Sequence, residues 1–168
     1  SFNITLSDEL APTLTAVDDL VEEIDETCGF TIPDYTSLTT AADNCAPEIT
    51  VTQSPVAGTV ISGSGTVQEI VLTADDGNGN INNITFDVTL VDNVAPTIVG
   101  LYANITVSNN PATCGAIVSW AEPTSIDNCS GSTIAQTAGP VSGSVFPIGT
   151  TTITYTATDD ALNTYSES

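Results

Sequence analysis

The chain has 168 residues, of which 21 are Asp or Glu and none is Lys, Arg or His, so its formal net charge is −21 at pH 7. Without His or Lys it cannot form a Ser-His-Asp triad, a Cys-His pair, a Schiff-base lysine or a zinc site that uses His. A surface without cations repels nucleic acid, and no apolar run is long enough to span a bilayer. We therefore expect no enzyme activity, no nucleic-acid partner and no membrane insertion.

The remaining composition indicates a folded chain that is rich in strands. Hydrophobic residues make up 40% of the sequence and the mean hydropathy is +0.19, whereas disordered acidic chains have low hydrophobicity. Residues 18–26 fit either a helix or a strand, and we predict a strand followed by an acidic turn. Alternating segments bounded by Gly, Pro, Asn and Ser predict further strands. These strands lie at 49–51, 67–72, 85–90, 105–107 and 151–157.

The sequence contains two copies of one repeat. Residues 2–14 reappear as residues 86–98, an offset of 84. Three further matches keep the same order at offsets between 83 and 86. They are Cys28-Gly29 with Cys114-Gly115, residues 43–45 with 127–129, and residues 73–76 with 156–159. A repeat of about 84 residues with seven or so short strands suits an immunoglobulin-like β-sandwich. We predict an all-β chain with two tandem sandwiches.

The ends of the repeats predict the domain boundaries. Residues 10–93 form the first repeat and residues 94–168 the second, which lacks its last strand. Residues 1–9 match that missing strand, so we assign them as the final strand of a preceding repeat in a continuous tandem chain. Two alternatives remain open. Residues 1–9 of one subunit can instead complete the sheet of another by strand donation, or the boundary can be arbitrary.

Both copies resemble hyalin repeat (HYR) domains, which are extracellular immunoglobulin-like modules. The second copy carries the pattern most clearly, in residues 104–107, Cys114-Gly115, Trp120 with Pro123, and residues 127–129, 146–151 and 155–159. The first copy lacks the Phe-Pro-x-Gly-Thr element. We expect Trp120 and Tyr155 to lie in the core. Such repeats occur in adhesion proteins and in long surface adhesins of gliding bacteria, so the resemblance implies adhesion or scaffolding outside the cell.

The four cysteines fall two to a repeat. This placement favours the pairs Cys28–Cys45 and Cys114–Cys129 over the crossed pairings. Closing a loop of about 15 residues contributes roughly 3 kcal/mol in the chain-entropy model. Disulfides also predict a location outside the cytosol. The alternative is a metal site that uses all four cysteines.

The carboxylates concentrate at turns and repeat junctions, which predicts Ca²⁺ sites. Residues 75–80 place oxygen-bearing side chains at alternate positions between glycines, as Ca²⁺ loops do, although the full EF-hand pattern is absent. Residues 159–163 offer a version without glycine. Carboxylates at the junctions can stiffen an array by sharing an ion between two domains. The candidate ligands are Asp8, Glu9, Asp43, Asp75, Asp76, Asn78, Asn80, Asp92, Asp127, Asp159, Asp160 and Asn163.

These observations predict a structural stalk segment of a long extracellular tandem-repeat adhesin or surface filament, stiffened by disulfides and Ca²⁺. Its partners are expected to be neighbouring copies of the same repeat, with surface glycans or matrix as further candidates. Two alternatives are a ligand-binding module that recognises a glycan or a cationic protein, and a pilin-like subunit that polymerises by donating residues 1–9. An enzyme remains a third, and a pair of carboxylates about 5 to 9.5 Å apart in a cleft would support it.

Overall fold

The computed structural model describes residues 1–46 and 48–168. These residues form fifteen short strands, β1–β15, and one 3₁₀ turn at Thr36–Leu38, so the predicted all-β fold is confirmed. The chain divides into two compact units, which we call unit 1 (Ser1–Val91) and unit 2 (Asp92–Ser168). Their boundary falls two residues before the end predicted for the first repeat. The immunoglobulin-like sandwich stays a prediction.

Unit 1 contains three sheets. β1 pairs with β4 and β3 pairs with β6, both antiparallel, while a four-stranded sheet has the order β2-β8-β7-β5. In that larger sheet β2 runs parallel to β8, and the other neighbours are antiparallel. The bounds are β1 Thr13–Leu14, β2 Leu20–Glu23, β3 Gly29–Thr31, β4 Ala41–Ala42, β5 Thr50–Ser54, β6 Val60–Ser62, β7 Val67–Asp75 and β8 Ile81–Val91.

The core of unit 1 lies against one face of β7 and β8. Side chains alternate between the two faces of a strand, and the apolar positions of β8 follow that period of two. Phe86, Val88 and Leu90 are buried, and so are Ile70 and Leu72 on β7. The long alternating segments therefore specify both the sheet and the face that it buries.

Unit 2 repeats four of these pairings. β9 pairs with β11 as β1 does with β4, β10 with β13 as β3 does with β6, and β12-β14-β15 corresponds to β5-β7-β8. Its buried core is smaller: apart from prolines, the described residues of unit 2 include two buried hydrophobic residues, Tyr155 and Ala157, against nine in unit 1. The bounds are β9 Thr97–Val99, β10 Gly115–Ile117, β11 Thr124–Ile126, β12 Thr133–Ala138, β13 Val145–Pro147, β14 Thr154–Thr158 and β15 Thr164–Glu167.

The strand predictions for residues 18–26 and 105–107 have different outcomes. Residues 18–26 contain β2, followed by a turn in which the amide of Cys28 donates to the carbonyl of Asp25, as predicted. Residues 105–107, in contrast, form no strand. The reason is pairing: β2 is held by the end of β8, and the described part of unit 2 offers residues 104–107 no equivalent strand.

The two predicted core aromatics of unit 2 lie in contact. Tyr155 is buried, with 3% of its surface exposed, as predicted. Trp120 is only half-buried; its indole ring meets the ring of Phe146 edge-on, with the centroids 5.8 Å apart. Trp120 therefore borders an incomplete core and does not fill a closed one.

Candidate metal centres

Each unit brings three aspartates together. In unit 1 they are Asp8, Asp43 and Asp76, and in unit 2 they are Asp92, Asp127 and Asp159. Within each triad, one carboxylate oxygen from every residue lies within 4.8 Å of the others. The residues come from corresponding positions of the two repeats. The chain therefore builds the same cluster twice.

A tight turn positions Asp76 in the first triad. Asp76 directly follows β7, and its amide donates to the carbonyl of Asn80 at 3.3 Å. In return, its Oδ1 accepts hydrogen bonds from the amides of Asn78 at 2.7 Å and Asn80 at 3.0 Å. Gly77 and Gly79 adopt positive φ angles, which allow the chain to close this turn. The result is a buried carboxylate in a fixed orientation.

Loop segments bring in the other two carboxylates of unit 1. Asp43 follows β4, and its Oδ1 accepts from the amides of Cys45 at 2.8 Å and Ala46 at 3.0 Å. Asp8 accepts from the amide of Leu10 at 3.1 Å, and its main-chain carbonyl accepts from the side-chain nitrogen of Asn80 at 3.3 Å. Local turns therefore fix both carboxylates.

Unit 2 repeats the principal hydrogen bonds of this cluster. The amide and side-chain nitrogens of Asn163 donate to the two carboxylate oxygens of Asp159, at 2.8 and 2.9 Å. The same side-chain nitrogen donates to the carbonyl of Asp92 at 3.0 Å, as Asn80 does to Asp8. The amide of Cys129 donates to Asp127 at 3.1 Å, as Cys45 does to Asp43. This repetition occurs although the second turn lacks glycine.

The hydrogen bonds of the turn keep Asp76 ionised. Burial raises the pKa of Asp76, but bonds from the Asn80 side chain and from the amides of Asn78, Asn80 and Gly79 outweigh it, so the net pKa is below its ordinary value of 3.8. Three aspartates this close repel one another, and the chain has no Lys, Arg or His to neutralise them. A bound cation would balance their charge at neutral pH.

Within the described part of the chain, one carboxylate oxygen in each triad is buried without a hydrogen-bond partner. In unit 1 it is Oδ2 of Asp43, and in unit 2 it is Oδ1 of Asp127, at the corresponding position. Buried polar atoms are usually hydrogen-bonded, so a buried carboxylate oxygen without a partner indicates a position where a ligand can bind. Hard oxygen donors without nitrogen or sulfur match Ca²⁺, which accepts six to eight oxygens at about 2.3 to 2.6 Å. Each triad can supply three carboxylates toward such an ion.

The remaining candidate ligands lie outside the triads. Asp75 and Asp160 are exposed neighbours of the triad residues Asp76 and Asp159, and Glu9 is exposed beside Asp8. Asn78, Asn80 and Asn163 donate hydrogen bonds to the triads. Asp8 and Asp92 each belong to a triad within their own unit, and an ion shared between two domains stays a prediction. Asp8 and Asp92 are 84 residues apart, and so are Asp43 and Asp127. This shared offset is the sequence signal that could have placed Asp8 and Asp92 in the triads.

The cysteines differ from the predicted pairing. Cys28 and Cys129 are disulfide-bonded, whereas Cys45 and Cys114 carry free, exposed thiols. The pairs 28–45 and 114–129 are therefore not formed. The reason lies in the sheets. Cys28 precedes β3, which pairs with β6, while Cys45 follows β4, which pairs with β1. Spacing along the sequence does not reveal that the two cysteines of a repeat border different sheets.

Comparison with known proteins supports the predicted resemblance. Residues 91–167 match the family model of the HYR domain, which confirms it for that part of the chain. Hyalin of Lytechinus variegatus is 29% identical over 164 residues, which are 97% of this chain and 31% of that protein. Hyalin of Strongylocentrotus purpuratus is 26% identical over 163 residues, covering 97% of this chain and 14% of that protein. The chain therefore spans less than a third of either relative.

The described residues contain no helix that is both long enough and apolar enough to cross a bilayer.

Proposed function

We propose that this chain is a segment of an extracellular tandem-repeat adhesion protein, in which each repeat is a structural stalk module that binds Ca²⁺. The HYR match and the hyalin relatives support a non-enzymatic adhesion role outside the cell. The alignments with hyalin extend over both units, which supports a role for both as repeats of one kind.

The observation that carries the calcium proposal is the duplicated triad. A single acidic cluster is common on an acidic surface, but here two units place three carboxylates at the same repeat positions with matching hydrogen bonds. The orphaned oxygens of Asp43 and Asp127 recur in the same way. Repetition of an electrostatically unfavourable arrangement argues for a function that neutralises it.

Calcium would act on the unit by joining distant parts of its sequence. In unit 2 the ligands come from the residue directly after β8, from the loop after β11 and from the turn after β14. An ion held by all three would prevent these segments from separating. Because Asp92 directly follows β8, binding at this triad would also leave little free chain between β8 and unit 2. This would limit bending in a stalk.

Thermal unfolding with and without Ca²⁺ tests this proposal. Extracellular modules bind with dissociation constants of about 10⁻⁴ to 10⁻³ M, so titration should extend to about 10 mM. At ten times the dissociation constant, one site stabilises its unit by about 1.4 kcal/mol, which corresponds to a shift of several degrees. NaCl at matched ionic strength controls for general screening of the charge of −21.

Matched variants separate the triads from general acidity. Asp43→Asn and Asp127→Asn each remove one triad carboxylate, while Asp75→Asn and Asp160→Asn remove the same charge from exposed positions nearby. The double triad variant should lose the calcium-dependent shift, and the double control should keep it. Two results would overturn the calcium proposal. One is an equal loss of the calcium-dependent shift in the double triad variant and the double control. The other is a wild-type shift that is no larger in CaCl₂ than in matched NaCl.

A further inference from the structure

Unit 2 contains an open groove with apolar walls. Its volume is about 890 Å³, and its lining includes Tyr102, Ile105, Trp120, Phe146 and Tyr155. Tyr102 is 57% exposed and Ile105 is 48% exposed. Large apolar side chains therefore face solvent where unit 1 has its core.

Unit 1 shows what fills the equivalent place. The second half of β8 lies there, antiparallel to the start of β7 and parallel to β2. It contributes Phe86, Val88 and Leu90, all at most 3% exposed. The segment of unit 2 that corresponds to β2 is residues 104–107, which line the groove, and no described residue of unit 2 takes the place of 86–90. The groove therefore occupies the place that residues 86–90 take in unit 1.

The chain carries a segment of matching sequence at its other end, in a region that forms no strand. Residues 2–6 read Phe-Asn-Ile-Thr-Leu, and residues 86–90 read Phe-Asp-Val-Thr-Leu. In an extended strand Phe2, Ile4 and Leu6 project from the same face, as do their counterparts on β8. All three are exposed, by 84%, 78% and 94%. Unit 1 thus displays an apolar segment that it does not bury.

We propose that the groove of unit 2 receives residues 2–6 of a second copy of this chain as an added β-strand. The strand runs parallel to residues 104–107 and antiparallel to residues 150–153, as β8 runs in unit 1. Main-chain hydrogen bonds give such an addition its affinity, and the pockets for Phe2, Ile4 and Leu6 give it specificity.

This contact joins different surfaces of the two copies. The donor strand belongs to unit 1 and the groove to unit 2, so the contact is heterologous and repeats head to tail along an open filament. The inference deepens the proposed role in a repeat array and rests on it. It does not depend on Ca²⁺.

Fluorescence of Trp120 tests the groove directly, because Trp120 is the only tryptophan and lines the groove. The probe is a synthetic peptide of residues 1–7, which lacks tryptophan, added to the full chain in calcium-free buffer. We expect a saturable blue shift of the emission. A peptide with serine in place of Phe2, Ile4 and Leu6 should give none. Ile105→Asp should weaken binding at least tenfold, while Val56→Asp, at an exposed position in unit 1, should leave it unchanged.

Sedimentation of the full chain tests whether a second copy is the donor. Wild-type protein should associate as its concentration rises, and the triple variant Phe2→Ser, Ile4→Ser, Leu6→Ser should remain monomeric. An unresponsive Trp120, or an equal response to the serine peptide, would overturn the strand-acceptor proposal. Peptide binding without association of the chain would overturn the second copy as donor. Repeating both measurements in CaCl₂ distinguishes failure of the strand-acceptor proposal from failure of the calcium proposal.

Discussion

The indole nitrogen of Trp120 donates a hydrogen bond of 2.8 Å to the phenol oxygen of Tyr155. This bond links the loop after β10 to the buried face of β14. In unit 1, Tyr35 lies near the sequence position that corresponds to Trp120. Its ring meets the ring of Phe86 edge-on, with the centroids 5.4 Å apart. The hydroxyl of Tyr35 is buried without a hydrogen-bond partner in the described structure. Burial, with the nearby charge of Glu22, raises its pKa.

The two tyrosines predict opposite effects of the same substitution. Tyr155→Phe leaves the Trp120 indole without its partner and should lower the free energy of unfolding by about 1 kcal/mol. Tyr35→Phe removes an unsatisfied hydroxyl while keeping the ring contact with Phe86, so stability should stay equal or rise by up to about 1 kcal/mol. Denaturant unfolding of both variants measures the difference. A larger loss for Tyr35→Phe than for Tyr155→Phe would contradict this expectation.

The two Cys-Gly motifs predict different tolerance to a side chain. A Cβ atom at Gly115 would lie 2.7 Å from the carbonyl oxygen of Phe146, whereas one at Gly29 would meet nothing closer than 3.5 Å. Gly115→Ala should therefore destabilise unit 2 by about 1 to 3 kcal/mol through overpacking. Gly29→Ala should be neutral or slightly stabilising, because alanine restricts the unfolded chain. Thermal melts of the two variants compare them directly. Equal losses would show that close packing at Phe146 is not the cause.

Acid should remove a specific part of the stability. The pKa of Asp25 is lowered by hydrogen bonds from the Thr27 hydroxyl and from the amides of Thr27 and Gly29, and that of Asp34 by the hydroxyl and amide of Thr36. A folded-state pKa below the unfolded value stabilises at higher pH, and this contribution disappears as pH falls through the folded pKa. This loss of stability should therefore occur below about pH 4.

Comparison of variants isolates this effect from general charge repulsion, which protonation relieves. Melting temperatures of Asp25→Asn and wild type, measured from about pH 6 to about pH 2.5, should differ most at the upper end and converge in acid. Glu122→Gln removes one charge at an exposed position and serves as the control. A gap for Asp25→Asn that stays constant with pH would contradict the assignment.

The cysteine states predict a simple chemical result. Alkylation of the unreduced native protein should label Cys45 and Cys114, whose thiols are free and exposed, and should leave Cys28 and Cys129 unlabelled. Peptide mass analysis after alkylation reports each position. Four unlabelled cysteines would instead favour the pairing of 28 with 45 and 114 with 129 that the repeat spacing predicts.

Sequence reasoning succeeded where local pattern decides the structure. The alternation in residues 67–72 and 85–90 predicted parts of β7 and β8, and the acidic segment before Cys28 was correctly assigned to a strand and a turn. It failed at residues 105–107, because a strand needs a partner that periodicity does not supply. The triads show the same limit. The acidic turns marked Asp76 and Asp159, but only the fold assigns Asp8 and Asp92 to their own units.

The parallel pairing of β2 with β8 has a mechanical consequence. Four residue pairs, from Leu20 with Val88 to Glu23 with Val91, lie side by side in the same direction. Tension transmitted through the chain pulls β2 from its first residue and β8 from its last, which are opposite ends of this pair. The strands must then slide past each other along their length, so their hydrogen bonds share the load and break together. An antiparallel hairpin pulled from its open end would instead unzip one bond at a time.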